Sequence, residues 1–383
     1  LPPAVATRVP QGSRIVGPAI VVALLIVLLI TAAVFVGTQR RLPAPFGPAA
    51  NGRIAFTAND QIWTAEADGT APRQVTPGAL GAFEPSFSRD GTHLAYRRKT
   101  SDEPLDDPHR FADLIVVDTD GANPVVIEAH LAGLGNPTWA PGDDRIAYTH
   151  LDAAGDDHLY VAAVDGSGVA DLGTLGGSPW GPAWSNHGEW IAVGLGQDSG
   201  RLAIVRPDGT DVRDLSRGAY EEVGSHGNIA SWSLDDKRLV FSAGSIDGAR
   251  QIYLVGLDGA PEQPVSPFGL RADDPSWSPD GSLIAYLREG ANLGPIVVIL
   301  DRAGRELRIL PGHYRWSQEV WSPDATRLFV DDDRPGNENV PGDPVMVALD
   351  PLGQAPAEVI RAPPGTRLDV QDGYAGTWQR RAP

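Results

Sequence analysis

Residues 275–286 read PSWSPDGSLIAY, and the same phrase returns in altered form along most of the chain: PSFSRDGTHLAY from 85, PTWAPGDDRIAY from 137, PAWSNHGEWIAV from 182, ASWSLDDKRLVF from 230 and EVWSPDATRLFV from 319. Aligned on its aromatic residue, the phrase places Phe87, Trp139, Trp184, Trp232, Trp277 and Trp321 at intervals of 44 to 52 residues. A period in that range belongs to repeat architectures built from four-stranded units. After each phrase comes an alternating run such as QIYLVGLDG (251–259) or LIVVDTDG (114–121), then a shorter one ending in RDLS (213–216) or RQVT (73–76). Apolar residues at every second position, bounded by Asp/Gly turns, predict antiparallel β-hairpins. One copy is therefore four short strands, with the aromatic residue on strand one and the PDG-type turn leading into strand two.

A lone four-stranded sheet leaves two faces uncovered, so the copies must pack on one another, and radial packing makes a β-propeller. The aromatic anchors are then expected between neighbouring blades, where burying an indole contributes about 2–3 kcal/mol. The two ends of the repeat region are complementary. Residues 52–76, GRIAFTANDQIWTAEADGTAPRQVT, hold strands two to four without a strand one, and YAGTWQR (374–380) supplies a strand one with Trp378. Pairing them closes the ring. The fold class expected is all-β, a seven-bladed propeller over 52–380. A six-bladed one is the competing count, should the degenerate copy at 319–361 not form a full sheet.

These phrases resemble the TolB-type, WD40-like propeller repeat, written around P-x-W-S-P-D-G-x-x-I-A-Y, and the copy at 275 matches it best. The resemblance covers residues 52–380 and implies the fold and a tendency to bind proteins, usually outside the cytoplasm. The family's namesake carries a small α/β domain ahead of a six-bladed propeller. This chain has an apolar segment there instead, which puts the namesake's role in doubt.

That segment, IVGPAIVVALLIVLLITAAVFV at 15–36, carries no charge. At about 1.5 Å per residue it would span roughly 33 Å, enough for one membrane crossing. Residues 1–14 read as a short tail, 15–36 as a transmembrane helix and 37–51, containing LPAPFGPAA, as a Pro-rich stalk. A cleaved signal peptide is the competing reading, but its apolar region would be shorter. Arg8 and Arg14 precede the segment and Arg40 and Arg41 follow it, so basic residues do not orient it. The chain begins at Leu1, read either as an alternative start or as the edge of a missing cytoplasmic portion.

The formal charge of −18 argues against nucleic acid, whose phosphates need clustered Lys and Arg. With no Cys there are no disulfides, thiolate metal sites or Cys nucleophiles. Propellers of prolyl oligopeptidase-like enzymes accompany a hydrolase domain with a G-x-S-x-G elbow, and this chain has no such pentapeptide. GTLGGSPWG (173–181) lacks the Lys and Ser/Thr of a P-loop and reads as an inter-blade turn.

The connections from strand two to three, and from strand four to the next strand one, emerge on one face, the loop face. His130, His226 and His313 are placed there, as weak candidates for a metal site of the kind that propeller lyases use. The acidic stretches SDEPLDDPHR (101–110), DAAGDDH (152–158) and DDDRPGNEN (331–339) read as a solvated rim, with Ca²⁺ as a lesser alternative. Trp180, Tyr220, Tyr314 and Trp316 are assigned to inter-blade loops as partner-binding aromatics. Trp63 and Trp190 are assigned to the core. No catalytic residue or organic cofactor is assigned.

The function expected is a membrane-anchored, extracytoplasmic, non-enzymatic scaffold for a protein partner in the membrane or cell envelope. The alternatives are a carbohydrate-binding protein or metal-dependent enzyme working at the channel mouth, and the sensor domain of a truncated transmembrane signalling protein.

Overall fold

The computed structural model describes residues 47–78, 80–100, 111–196, 200–218, 220–224, 229–244, 249–290, 294–310, 314–315, 321–332, 344–352, 358–361 and 377–381. The apolar segment 15–36 and most of the stalk lie outside them. No helix among the described residues is long and apolar enough to cross a membrane.

The described residues form an all-β propeller. Its strands form antiparallel sheets, four-stranded except for a five-stranded fifth, in which neighbouring strands follow chain order apart from the C-terminal strand that leads the first. The first sheet pairs Thr377–Arg381, Ala50–Ala58, Gln61–Ala65 and Arg73–Gln74. The second holds Ala82–Phe87, His93–Lys99, Phe111–Asp118 and Val125–Ala132, and the third Thr138–Trp139, Arg145–Leu151, Asp157–Ala163 and Val169–Gly173. The fourth holds Pro179–Trp184, Ile191–Leu195, Arg201–Val205 and Arg213–Asp214. In the fifth, Ala230–Trp232 and the short Glu222–Val223 both pair with Arg238–Gly244, followed by Arg250–Gly256 and Gln263–Pro264. The sixth holds Ala272–Trp277, Leu283–Gly290, Gly294–Asp301 and Glu306–Leu310. The degenerate copy also forms a sheet, from Tyr314–Arg315, Leu328–Asp332, Pro344–Leu349 and Glu358–Arg361.

Closure runs as the sequence predicts. Trp378 lies opposite Ile54 and Thr377 opposite Ala55, so the C-terminal strand is strand one of the sheet that opens the propeller. The propeller strand begins at Ala50, two residues before the expected boundary.

The period-two alternation of each strand sends neighbouring residues to different interfaces. In the third sheet Ile146 and Tyr148 pack against Leu114 and Val116 of the second, while Ala147 between them faces Trp184 and Ile191 of the fourth. Similar apolar layers join the first sheet to the second, the fourth to the fifth, the fifth to the sixth and the sixth to the seventh.

The S-x-D phrase is a hydrogen-bonded knot. In SPDGSL, Ser278 Oγ donates to Asp280 Oδ1 at 2.6 Å and accepts from Leu283 N at 2.9 Å, while Asp280 accepts from Ser282 N. Ser88, Ser233 and Ser322 repeat it with Asp90, Asp235 and Asp324. The hydroxyl that ends RQVT or RDLS has a similar use, since Thr76 accepts from Ile62 N and Ser216 from Leu202 N.

The Gly of the PDG turn holds a left-handed conformation, φ 70° at Gly91 and 68° at Gly281. In the third and fifth sheets Asp143 and Asp236 take that place, with φ of 56° and 54°. Asp tolerates the left-handed region, and here its carboxylate reaches the preceding sheet. Asp143 accepts from Arg89 N and Asp90 N at 2.6 and 2.8 Å, and Asp236 from Asn186 N and His187 N at 2.8 and 2.7 Å. Asn51 and Asp324 join the first and seventh sheets in a related way. The turn face of the propeller is thus stitched at three junctions, second to third, fourth to fifth and seventh to first.

Candidate binding site

Strand one of each sheet faces the axis, and the anchors Phe87, Trp139, Trp184, Trp232, Trp277, Trp321 and Trp378 all line one cavity of about 340 Å³. Each anchor is at most 7% exposed. Their placement between blades is as expected: Trp139 Nε1 donates to Ser86 O, Trp232 Nε1 to Ala183 O and Trp321 Nε1 to Ser276 O, each carbonyl belonging to the preceding sheet. Trp184 and Trp277 alternate with these and lie beneath the guanidinium groups of Arg145 and Arg238, 5.2 and 5.3 Å from the ring centroids. The cavity opens at the turn face, where Arg89, Asn186, Leu234, Pro279 and Pro323 contribute to its wall.

At the loop face, Trp180 is not in a loop. It belongs to the strand Pro179–Trp184, which a bulge at Gly181 (φ 57°) lengthens, and its half-buried ring packs on Ile229 over Gly194 and Gly224. A Cβ at Gly194 would stand 2.5 Å from Trp180 Nε1, so glycine is what lets the indole lie there. Tyr220 joins the same layer beside Phe241 and Tyr253 and donates to Glu262 Oε1 at 2.9 Å. Burial, reinforced by the bond to Glu262, holds its phenol far above the usual tyrosine range. Both aromatics therefore serve packing first. Tyr314 starts the strand Tyr314–Arg315, with its side chain outside the described part, and Trp316 lies outside the described residues.

His130 sits within the strand Val125–Ala132 and not in the connection after it. Its ring stacks on Phe111 at 4.0 Å between centroids, and its backbone N–H donates to Asp113. His226 and His313 lie outside the described residues, and no group of three metal-ligating side chains occurs among the described ones. Of the acidic stretches, 152–158 is described: Asp152 Oδ1 accepts from Ala154 N and Asp156 N as a turn cap. Trp190 is buried between Arg206 and Arg213, as a core assignment requires, whereas Trp63 is half-buried and donates to Ala58 O.

Residues 106–342, more than half of the chain, match the model of the TolB beta-propeller domain. The chain belongs to that family. Among solved structures, the TolB-type propeller resembles TolB from Acinetobacter baumannii at 15% identity and a TM-score of 0.51, over 87% of this chain and 81% of that one. An oligogalacturonate lyase in complex with manganese aligns at 15% identity and a TM-score of 0.56, over 72% and 80%. A Mycobacterium tuberculosis puromycin-hydrolysing peptidase aligns at 14% and 0.53, over 84% of this chain and 57% of the peptidase. At these identities the likeness concerns the fold, which binding proteins and enzymes share.

Two features of the TolB-type propeller escaped sequence reasoning. One is an aromatic stack beside the 152–156 turn: His150 lies 3.9 Å from Tyr160, Tyr148 Oη donates to Glu128 Oε2 at 2.5 Å, and His158 contacts Asp171 at 2.9 Å. Burial raises the Tyr160 phenol to about 12. The pairing His158 opposite His150 follows from hairpin register, a signal available once the turn is placed. The other is Phe268, 84% exposed, with Leu270 at 38%, in the connection from the fifth sheet to the sixth. Two apolar residues in PFGLR between Pro264 and Ala272 could have been read as a solvent-facing pair.

Proposed function

We propose that this TolB-type propeller is a non-enzymatic platform for a protein partner. Its loop face is the contact surface. The observation that carries this reading is the difference between the two faces. The turn face is laced by Asp143, Asp236 and Asn51, whereas the loop face presents Phe268 to solvent on a connection held at both ends by sheet. A rigid scaffold offering an exposed aromatic anchor loses little conformational freedom on binding. Residues 15–36 would hold the propeller at a membrane, on its extracytoplasmic side, as the apolar length supports. The neighbouring TolB structure is consistent with such a role; the lyase and peptidase neighbours keep catalysis or carbohydrate binding at the loop face as the second reading, to which the Glu128–Tyr148–His150 arrangement lends chemistry.

The test is affinity capture from detergent-solubilised membranes of the source cells with the full chain and with a Phe268→Ala/Leu270→Ser variant. A stoichiometric protein held by the wild type and lost from a folded variant supports the reading. Equal retention by both overturns the assignment of the contact surface.

A further inference from the structure

His150, next to last in the strand Arg145–Leu151, has a side chain only 9% exposed, and its surroundings fix its tautomer. Its Nδ1 lies 2.8 Å from Leu151 O, and a carbonyl oxygen can only accept, so Nδ1 carries the proton. Nε2 of the neutral ring is then a bare lone pair. It is buried without a hydrogen-bond partner, and Glu128 Oε2 of the second sheet stands 3.8 Å away. That oxygen is an acceptor too, already bonded by Tyr148 Oη at 2.5 Å. Two acceptors thus face each other across the boundary of the second and third sheets, short of one proton. Stacking holds the ring in place, with Tyr160 3.9 Å away at 10° and Tyr148 6.0 Å away at 17°.

The ionisable groups packed around this ring have other engagements. His158, opposite His150 in the hairpin register, contacts Asp171 at 2.9 Å and Asp152 at 3.7 Å. Burial holds the phenols of Tyr148 and Tyr160 above the usual tyrosine range, so both stay neutral. On the second sheet, Arg98 pairs with Asp113 and Arg97 with Glu84.

We propose that this junction is an acid-sensitive latch: one proton taken up at His150 Nε2 closes an imidazolium–carboxylate bond to Glu128 and ties the second and third sheets together near the loop face. Imidazole is the side chain whose charge changes between about pH 5 and 8, and a charge-assisted bond is stronger than a neutral one. Proton uptake and the closed junction favour each other, so the latch tightens as pH falls through that range and opens as it rises. Because the 152–156 turn follows Leu151 directly, the latch sets that turn against strand four of the second sheet. At the turn face the same two sheets are joined through Asp143, whose carboxyl burial raises to about 6. That group is common to wild type and to variants at Glu128 and His150, so differences between them isolate the latch. The latch is independent of what the loop face binds.

The purified full chain, carrying ¹⁵N-labelled histidine, is titrated from about pH 8 to about pH 5 and followed by the magnetic resonance of its ring nitrogens. The His150 signals are those lost in His150→Gln or, should that variant not fold, those moved by Tyr148→Phe. The result expected is a ring protonated on Nδ1 alone at the alkaline end and on both nitrogens at the acid end. In Glu128→Gln, which keeps the shape and removes the charge, the ring holds its second proton about tenfold less tightly, the value of one charge-assisted hydrogen bond. Exposed Glu189→Gln leaves it unchanged. The gap between the urea midpoints of wild type and Glu128→Gln widens on acidification. A ring protonated on Nε2 at the alkaline end, or one that takes up no second proton by pH 5, overturns the proposal in the wild type alone. Equal proton affinity in wild type and folded Glu128→Gln overturns it as well.

Discussion

Trp139 Nε1 donates to Ser86 O at 3.2 Å, across the boundary between the third and second sheets. One residue type at one repeat position therefore fills the gap between blades and also ties two strands together. The indoles of Trp184 and Trp277 share the position but have an arginine over the ring in place of the acceptor. Replacing Trp139 with Phe should cost about 1 kcal/mol more than the same change at Trp184, because only the first removes a made hydrogen bond. Urea midpoints of the two variants measure the difference. Arg145→Ala should destabilise by about 0.5–1 kcal/mol through the Trp184 ring.

The S-x-D knot gives a second expectation. Ser278 is 2% exposed, and its hydroxyl serves both Asp280 and Leu283 N. Ser278→Ala leaves the half-buried Leu283 N–H without its partner, a loss of about 1 kcal/mol. Gly304→Ala, at φ 82° with a Cβ placed 2.3 Å from Val265, is a strained comparison that acts through backbone and not through the knot. Thermal unfolding of both variants checks the ranking against an exposed Ser167→Ala control.

Asp143 makes the stability depend on pH in a direction opposite to that of Asp235, Asp280 and Asp324. Burial, with Asp90 nearby, raises it to about 6, despite the bonds from Arg89 N and Asp90 N that favour ionisation. A carboxyl whose folded value lies above its unfolded one stabilises the fold most below pH about 4, and that contribution disappears as pH rises through about 6. Asp235, Asp280 and Asp324 are held below the usual range, mainly through their serine bonds working against burial, and contribute above pH about 4. Asp143→Asn should therefore lower stability overall, having one acceptor where two are needed, but make its change between pH 4 and 6 more positive than in wild type. Denaturation midpoints at pH 4, 5 and 6 decide it; an unchanged slope would contradict the assignment.

Ring closure is testable because the chain has no native cysteine. Ala55 and Thr377 are directly opposed, so an Ala55→Cys/Thr377→Cys variant should form a disulfide under mild oxidation and raise the unfolding temperature. Trp378→Ala should cost about 3–5 kcal/mol.

The repeat made the blades and the closing strand legible, because strand pattern and turn residues recur at one spacing and the two ends hold complementary parts of one copy; the bonding of the serine to the aspartate two residues on was not read from it. Trp180 was not legible as a strand residue, since a bulge at Gly181 carries strand one further toward the loop face than the repeat phrase extends. His130 was missed for a related reason: strand four runs eight residues in the second sheet and only two in the first, fourth and fifth. The use of Asp143 and Asp236 as inter-sheet clamps was hidden because a left-handed turn position reads locally as Gly or Asp alike, and its partner lies about 50 residues earlier.

The most direct test of the proposed function places a photo-crosslinking amino acid at Phe268 on the loop face and, separately, at Thr210 in the exposed turn after Asp208 on the turn face. Irradiation of membranes from the source cells should give one discrete protein adduct from position 268 and none from 210. An adduct from 210 alone, or from neither position, would contradict a loop-face platform.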